Sequence, residues 1–229
     1  VASFDLLQRA PEHPDAVNQD AIGITSRLIE SKLKTYHVDA RVVDARVGPV
    51  ITQYWLELSE GVKGSQVEKI RKDLARALSA DNSIRIVPVI SGTPYMGLEI
   101  PNNSQQRLTV YLSEIIGSAE FENSRSLLTL ALGKDIGGNP VVADLARLPH
   151  LLIGGTTGSG KSVAVNSMIL SLLFKCDPSQ LRLVLIDPKL VEFSLYQGIP
   201  HLLCPVVTDM NKAANALNWL VQEMDHRYA

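Results

Sequence analysis

The stretch 150–165, HLLIGGTTGSGKSVAV, constrains this chain more than any other. An apolar run enters a glycine-threonine loop, and a helix-like pattern leaves it. Within the loop, Gly155, Gly160, Lys161 and Ser162 satisfy the spacing G-x-x-x-x-G-K-[ST] in GTTGSGKS. Glycines let the backbone wrap tightly, so that successive N–H groups point at phosphate oxygens. The helix behind adds the partial positive charge of its N-terminus. In such a loop the lysine ammonium reaches the β- and γ-phosphates and the serine hydroxyl binds Mg²⁺. The whole segment Gly155, Thr156, Thr157, Gly158, Ser159, Gly160, Lys161 and Ser162 is therefore the candidate nucleotide site, with Mg²⁺ at Ser162. The bland reading is a glycine-rich turn with a solvated lysine, but the strand-loop-helix context favours phosphate.

The rest of the chain must supply a scaffold for that loop. A length of 229 residues suits two domains better than one. The 45% hydrophobic and 20% charged shares are those of a globular protein with a real core. A formal charge of −2 does not announce a nucleic-acid binder, although a basic channel can hide in a neutral average. Cys176 and Cys204 lack metal-ligand spacing and fit free thiols rather than a disulfide scaffold. No apolar run reaches the ~18 residues of a membrane span, so the chain is expected to be soluble, with any anchor upstream in a longer parent.

Periodicity divides the chain. Residues 1–14, with Pro11 and Pro14, read as an extended segment. From about Asp15 to Tyr36, Ile22, Ile29, Leu33 and Tyr36 recur at helical spacing. Val38–Val47 and Val50–Leu58 alternate around Gly48-Pro49 as a hairpin. A helix follows in SQVEKIRKDLARAL, where Ser65 and Glu68 have capping-box spacing and Val67, Ile70, Leu74 and Leu78 form one stripe. Ile84–Ile90 and Met96–Ile100 read as strands. This is a small α+β unit, 15–106, closed by the polar patch PNNSQQ at 101–106. Beyond it, residues 107–229 alternate strands with helices. Leu127–Leu132, Val141–Val142, a buried His150–Ile153, Leu183–Ile186 and Leu202–Val207 are the strands. Helices run from about Gly160 to Phe174 and from Asp209, where Ala213, Leu217, Leu220, Met224 and Tyr228 share a side. That order predicts a mostly parallel sheet covered by helices, with the last domain cut short at its C-terminus.

Several other residues invite roles. Asp187 ends the apolar strand of RLVLIDPK, where a Mg²⁺-organising carboxylate is presented in phosphoryl-transfer sites. It equally fits a turn cap beside Pro188. Lys189 and Glu192 lie near the same edge, and spacing alone gives them no role. His150 reads as a near-core histidine, and His201 as a loop residue without a visible partner. Trp55 and Trp219 read as packing anchors. The basic residues from Lys69 to Arg76 read as a solvated helix face.

Three long phrases, LPHLLIGGTTGSGKSVAVNSMILSLL, LIDPKLVEFSLYQGIPHLL and VVTDMNKAANALNWLVQEMDHRY, resemble the motor of the FtsK/SpoIIIE family of bacterial DNA translocases. Upstream, GPVITQYWLEL, GLEIPN and LTLALGKDIGGNPVVADL are similar to the same family, so the likeness covers nearly the whole chain. The resemblance implies an α/β fold: a truncated P-loop NTPase of RecA-like type, preceded by the small α+β subdomain. It implies a ring, usually a homo-hexamer, that pumps double-stranded DNA with ATP in chromosome partition at cell division. The parent would be anchored at the cytoplasmic face of the bacterial inner membrane. It also places the acidic Walker B strand and its catalytic glutamate after Ala229, which argues against Asp187 as the main Mg²⁺ carboxylate and leaves the catalytic residues open. Alternatives are an FtsK-like ATPase of secretion or conjugative transfer, and a non-catalytic nucleotide-binding fragment. A small-molecule kinase would need a substrate lid after the phosphate-loop helix, and none is evident.

Overall fold

The computed structural model describes residues 2–11, 19–78, 80, 84–102 and 108–229. They fall into two compact units, Leu7–Glu120 with Gly133–Val141, and Val1–Leu6 with Phe121–Leu132 and Val142–Ala229. Pro14, the start of the first helix at Asp15 and most of the polar patch at 101–106 lie outside the described residues.

The first unit is built on alternation. Helix α1 (Gln19–Thr35) is followed by strands β1 (Ala40–Val47) and β2 (Ile51–Leu58), the hairpin that Gly48-Pro49 predicts. The next helical stretch is two pieces, α2 (Gly64–Lys69) and α3 (Arg71–Ala77), rather than one. The break is at Ile70, whose φ of −96° and ψ of 8° leave the α region. The N-terminal cap also differs from the Ser65–Glu68 pair: Gln66 reaches back to accept from the Lys63 N–H at 2.8 Å. Strands β3 (Arg85–Val87) and β4 (Met96–Pro101) complete an antiparallel sheet in the order β1-β2-β4-β3.

β2 buries every second residue, Thr52, Tyr54 and Leu56, as a strand with one covered face must. β4, flanked on both sides, is buried along Met96–Ile100. Ile29 and Leu33 of α1, Val67 of α2 and Leu74 of α3 pack into one cluster with Leu56 and Leu98. Each such side chain contributes about 1.5–3 kcal/mol by leaving water. Trp55 is half-buried: its Nε1 donates to Gln53 at 3.0 Å and the Arg46 guanidinium lies 4.5 Å from its ring centre. Lys69, Arg71, Lys72 and Arg76 are exposed, as a solvated face should be. Short helices α4 (Leu112–Ile116) and α5 (Ala119–Glu122) follow.

Strands β5 (Thr129–Lys134) and β6 (Pro140–Asp144) pair as a two-stranded sheet, and Thr129–Leu132 and Val142–Asp144 of them belong to the second unit. Helix α6 (Lys161–Lys175) packs Ile169, Leu172 and Leu173 against Leu130, Cys176, Leu181, Leu185 and Tyr196. Ser171, fully buried in α6, is satisfied: its hydroxyl donates to Ser167 O at 2.6 Å and accepts from the Ala131 N–H at 2.9 Å. The expected strands Leu183–Ile186 and Leu202–Val207 are not formed among the described residues; two isolated parallel bridges, Leu183 with Leu202 and Ile186 with Val207, stand in their place. The Leu183 and Asp187 N–H groups donate across them to His201 O and Val207 O, at 2.9 and 2.8 Å. Helix α7 (Met210–Tyr228) starts at Asp209, whose carboxylate accepts from the Asn211 and Lys212 N–H groups.

Four expectations are corrected here. The run 150–153 is not a buried strand: among the described residues no strand pairs with it, and Leu152 is 97% exposed. His150 is exposed, because the run that was to bury it is itself in solvent. His201 is buried and has a partner, Cys176 O, 3.0 Å from its Nε2. Trp219 is exposed rather than a packing anchor; on α7 only Ala213 of the five residues that share a side is buried.

Candidate functional site

The loop 154–160 opens directly into α6. Gly158 and Gly160 adopt φ of 80° and 88°, the left-handed region that L-residues avoid. Ser159 N donates to Thr156 O at 3.0 Å, closing a tight turn. Gly155 lies against Ser159 so closely that a Cβ there would collide with its hydroxyl. The sequence spacing is thus explained by backbone geometry: the two glycines bend the chain, and the third lets it fold back on itself.

The first bond of α6 runs from Ala164 N to Gly160 O at 2.9 Å. The N–H groups of Lys161, Ser162 and Val163 precede it, and no side chain caps them. Unpaired helical N–H groups with the macrodipole behind them are an anion site. Every residue from Gly154 to Val163 is exposed, so an anion can reach them from solvent.

A second set of residues joins this turn from further along the chain. The Ser162 hydroxyl donates to Glu192 Oε1 at 2.7 Å. One turn on, Asn166 Nδ2 donates to Ser162 O at 2.9 Å, and Tyr196 OH donates to Asn166 Oδ1 at 2.6 Å. Two side-chain contacts therefore tie the start of α6 to the segment 187–196. That segment is shaped by Asp187, whose Oδ2 accepts from the N–H groups of both Glu192 and Phe193 at 2.9 Å. These bonds to Phe193 and Glu192 hold its carboxyl below the usual aspartate range despite burial. Leu190, at φ 55°, is the left-handed residue that lets the chain turn back to them. Burial raises the Tyr196 phenol.

The geometry thus separates two acids that the sequence left together. Asp187 holds a turn through backbone N–H groups. Glu192 reaches the hydroxyl of Ser162, a contact across 30 positions that spacing did not reveal. The available signal was the acid itself, five residues beyond Asp187, which a turn closed by Asp187 swings back. Among the described residues no cluster of three or more His, Cys, Asp or Glu could hold a metal alone. The Ser162 hydroxyl still offers a hard oxygen donor, with Glu192 hydrogen-bonded to it. That suits Mg²⁺, which takes one or two protein oxygens and completes its shell with phosphates and waters.

Comparisons with known proteins bear on the whole chain. Residues 111–229 match the model of the FtsK/SpoIIIE family, and residues 1–102 match the FtsK alpha domain. DNA translocase FtsK 2 of Ralstonia nicotianae is 56% identical over 97% of this chain and 28% of its own length. DNA translocase FtsK of Pasteurella multocida is 55% identical over 99% of this chain and 24% of its own. DNA translocase FtsK 1 of Neisseria meningitidis serogroup A is 53% identical, covering 99% and 28%. The chain therefore spans about a quarter of the length of these curated relatives. Among solved structures, the pCW3 conjugation coupling protein TcpA, a monomer form with ATPγS, matches at 17% identity. It covers 89% of this chain and 55% of that one at a TM-score of 0.44, too low to carry weight. No helix among the described residues is long and apolar enough to cross a membrane.

Proposed function

Because this chain belongs to the FtsK/SpoIIIE family, we propose that it forms part of an ATP-driven motor that translocates double-stranded DNA. The observation that carries the reading is the loop with left-handed Gly158 and Gly160 that ends on uncapped N–H groups of α6. The identity above 50% to proteins named DNA translocases supports the substrate. The parent protein acts in chromosome partition at cell division, as a homo-hexameric ring anchored in the inner membrane. Residues 15–106 are its small subdomain and 107–229 belong to its RecA-like ATPase domain.

At the loop, the N–H groups of Lys161, Ser162 and Val163 would bind phosphate oxygens, and the Lys161 ammonium would neutralise charge on the β- and γ-phosphates. Mg²⁺, when bound, neutralises charge on those phosphates. The Ser162 hydroxyl would hold it. Asp187 keeps 188–193 folded through its bonds to the Glu192 and Phe193 N–H groups. In such a site the protein contributes position and fixed charge more than covalent chemistry.

The test is Lys161→Ala in the full-length protein, with ATP turnover measured on linear duplex DNA. Alanine supplies neither charge nor donor, so turnover falls by roughly 100-fold or more. Near-normal turnover would remove the assignment.

A further inference from the structure

The Ser162–Glu192 contact has a consequence for metal binding that the phosphate loop alone does not carry. A hydroxyl has one proton to donate and two lone pairs to offer. In this structure the proton is committed to Glu192 Oε1 at 2.7 Å. An ionised carboxylate has only acceptor capacity, so the direction of that bond is fixed. With the proton held on the Glu192 side, the lone pairs of Ser162 turn away from Glu192 and are free for a cation. An unheld serine hydroxyl rotates, and must be ordered each time a metal binds.

Glu192 is itself held in place. Its backbone N–H donates to Asp187 at 2.9 Å, and the next residue's N–H does the same. Downstream, Tyr196 fastens the same segment to Asn166 of α6 at 2.6 Å. The carboxylate is therefore presented to Ser162 by a loop anchored on both sides.

We infer that Glu192 is a positioning residue for the divalent cation of the nucleotide site, acting through the Ser162 hydroxyl. The inference rests on the nucleotide reading of the loop. An outer carboxylate that accepts a proton from a metal ligand fixes that ligand's orientation and raises its basicity. Removing such a partner costs typically 10–100-fold in metal affinity. Because Glu192 does not touch the phosphate-facing N–H groups, its contribution appears only when the cation is present.

The experiment measures binding of a fluorescent ATP analogue to the full-length protein, once with Mg²⁺ and once with EDTA. Wild type, Glu192→Ala, Glu192→Asp, Ser162→Ala and the double variant Ser162→Ala with Glu192→Ala are compared. The Asp187 bonds use the backbone N–H of residue 192, so the variants keep the turn. Mg²⁺ tightens wild-type binding, and Glu192→Ala loses about 10–100-fold of that gain. Glu192→Asp recovers part of it. Adding Glu192→Ala to Ser162→Ala loses nothing more, because the two residues act as one unit. A Glu192→Ala variant that keeps the full Mg²⁺ gain, or loses affinity equally with EDTA, overturns this inference and leaves the nucleotide reading standing. Wild type that binds no analogue in either condition overturns the nucleotide reading and this inference with it.

Discussion

Gly160 offers the sharpest test of whether the loop's backbone, rather than its side chains, makes the site. It holds φ 88° and ψ 11° at the N-terminus of α6. A Cβ placed on it meets nothing within 4 Å, so Gly160→Ala creates no clash. The cost is backbone alone, about 1–2 kcal/mol for an L-residue in the left-handed region. Restricting the unfolded chain returns about 0.4–1 kcal/mol. Gly154, in the same loop, has open space around it and no positive φ. Gly154→Ala therefore keeps the return and escapes the strain. The difference between the two variants is the strain itself, about 1–2 kcal/mol, or roughly 5–30-fold in a local equilibrium. Hydrogen exchange reads it directly at the Ala164 amide, which donates to Gly160 O at 2.9 Å. Exchange there should be roughly 5–30-fold faster in Gly160→Ala than in Gly154→Ala. Nucleotide affinity should fall by at most that factor, in proportion to the fraction of molecules that leave the conformer presenting the N–H groups. Equal exchange and equal affinity in the two variants would refute the reasoning.

Two more predictions probe the scaffold. The folded-state pKa of Asp187 is depressed, so its contribution is complete above the unfolded value of about 4 and disappears as pH falls through the folded one. Exchange protection of the Glu192 and Phe193 amides, corrected for intrinsic rates, should hold from neutral pH to about 4 and drop below it; protection unchanged in strong acid would contradict the turn-holding role. Leu98, fully buried in β4, should cost about 2–5 kcal/mol as Leu98→Ala in urea denaturation followed by Trp55 fluorescence, and a loss well under 1 kcal/mol would show that the site repacks.

What could be read from the sequence was what neighbouring residues decide among themselves. The Gly48-Pro49 hairpin, the start of α6 after Gly160 and the start of α7 at Asp209 each depend on a few adjacent positions, and each is present. The misreadings share a different cause. Residues 150–153 are apolar enough for a strand, yet a strand exists only where a partner accepts its N–H and C=O groups, and composition cannot supply one. Ile70 continues the Val67–Leu78 stripe, but an apolar stripe tolerates a local break in φ and ψ that the pattern does not register. His201 finds Cys176 O across 25 positions, through the same parallel pairing that brings Leu183 to Leu202.

The Ser162–Glu192 pair shows how far apart the two kinds of information lie. A spacing motif captures the loop because its residues are consecutive. Glu192 reaches that loop only after Leu190 takes a left-handed turn and Asp187 captures the N–H groups of residues 192 and 193. Three local choices in DPKLVEF, none diagnostic alone, aim one carboxylate at one hydroxyl. The same reasoning separates the two acids. Asp187 was the visible candidate because it ends an apolar strand, yet its carboxylate is taken up by backbone donors that keep it ionised and in place. The Oδ2 atom of Asp187 is engaged by two backbone donors, whereas Glu192 accepts from the hydroxyl of Ser162.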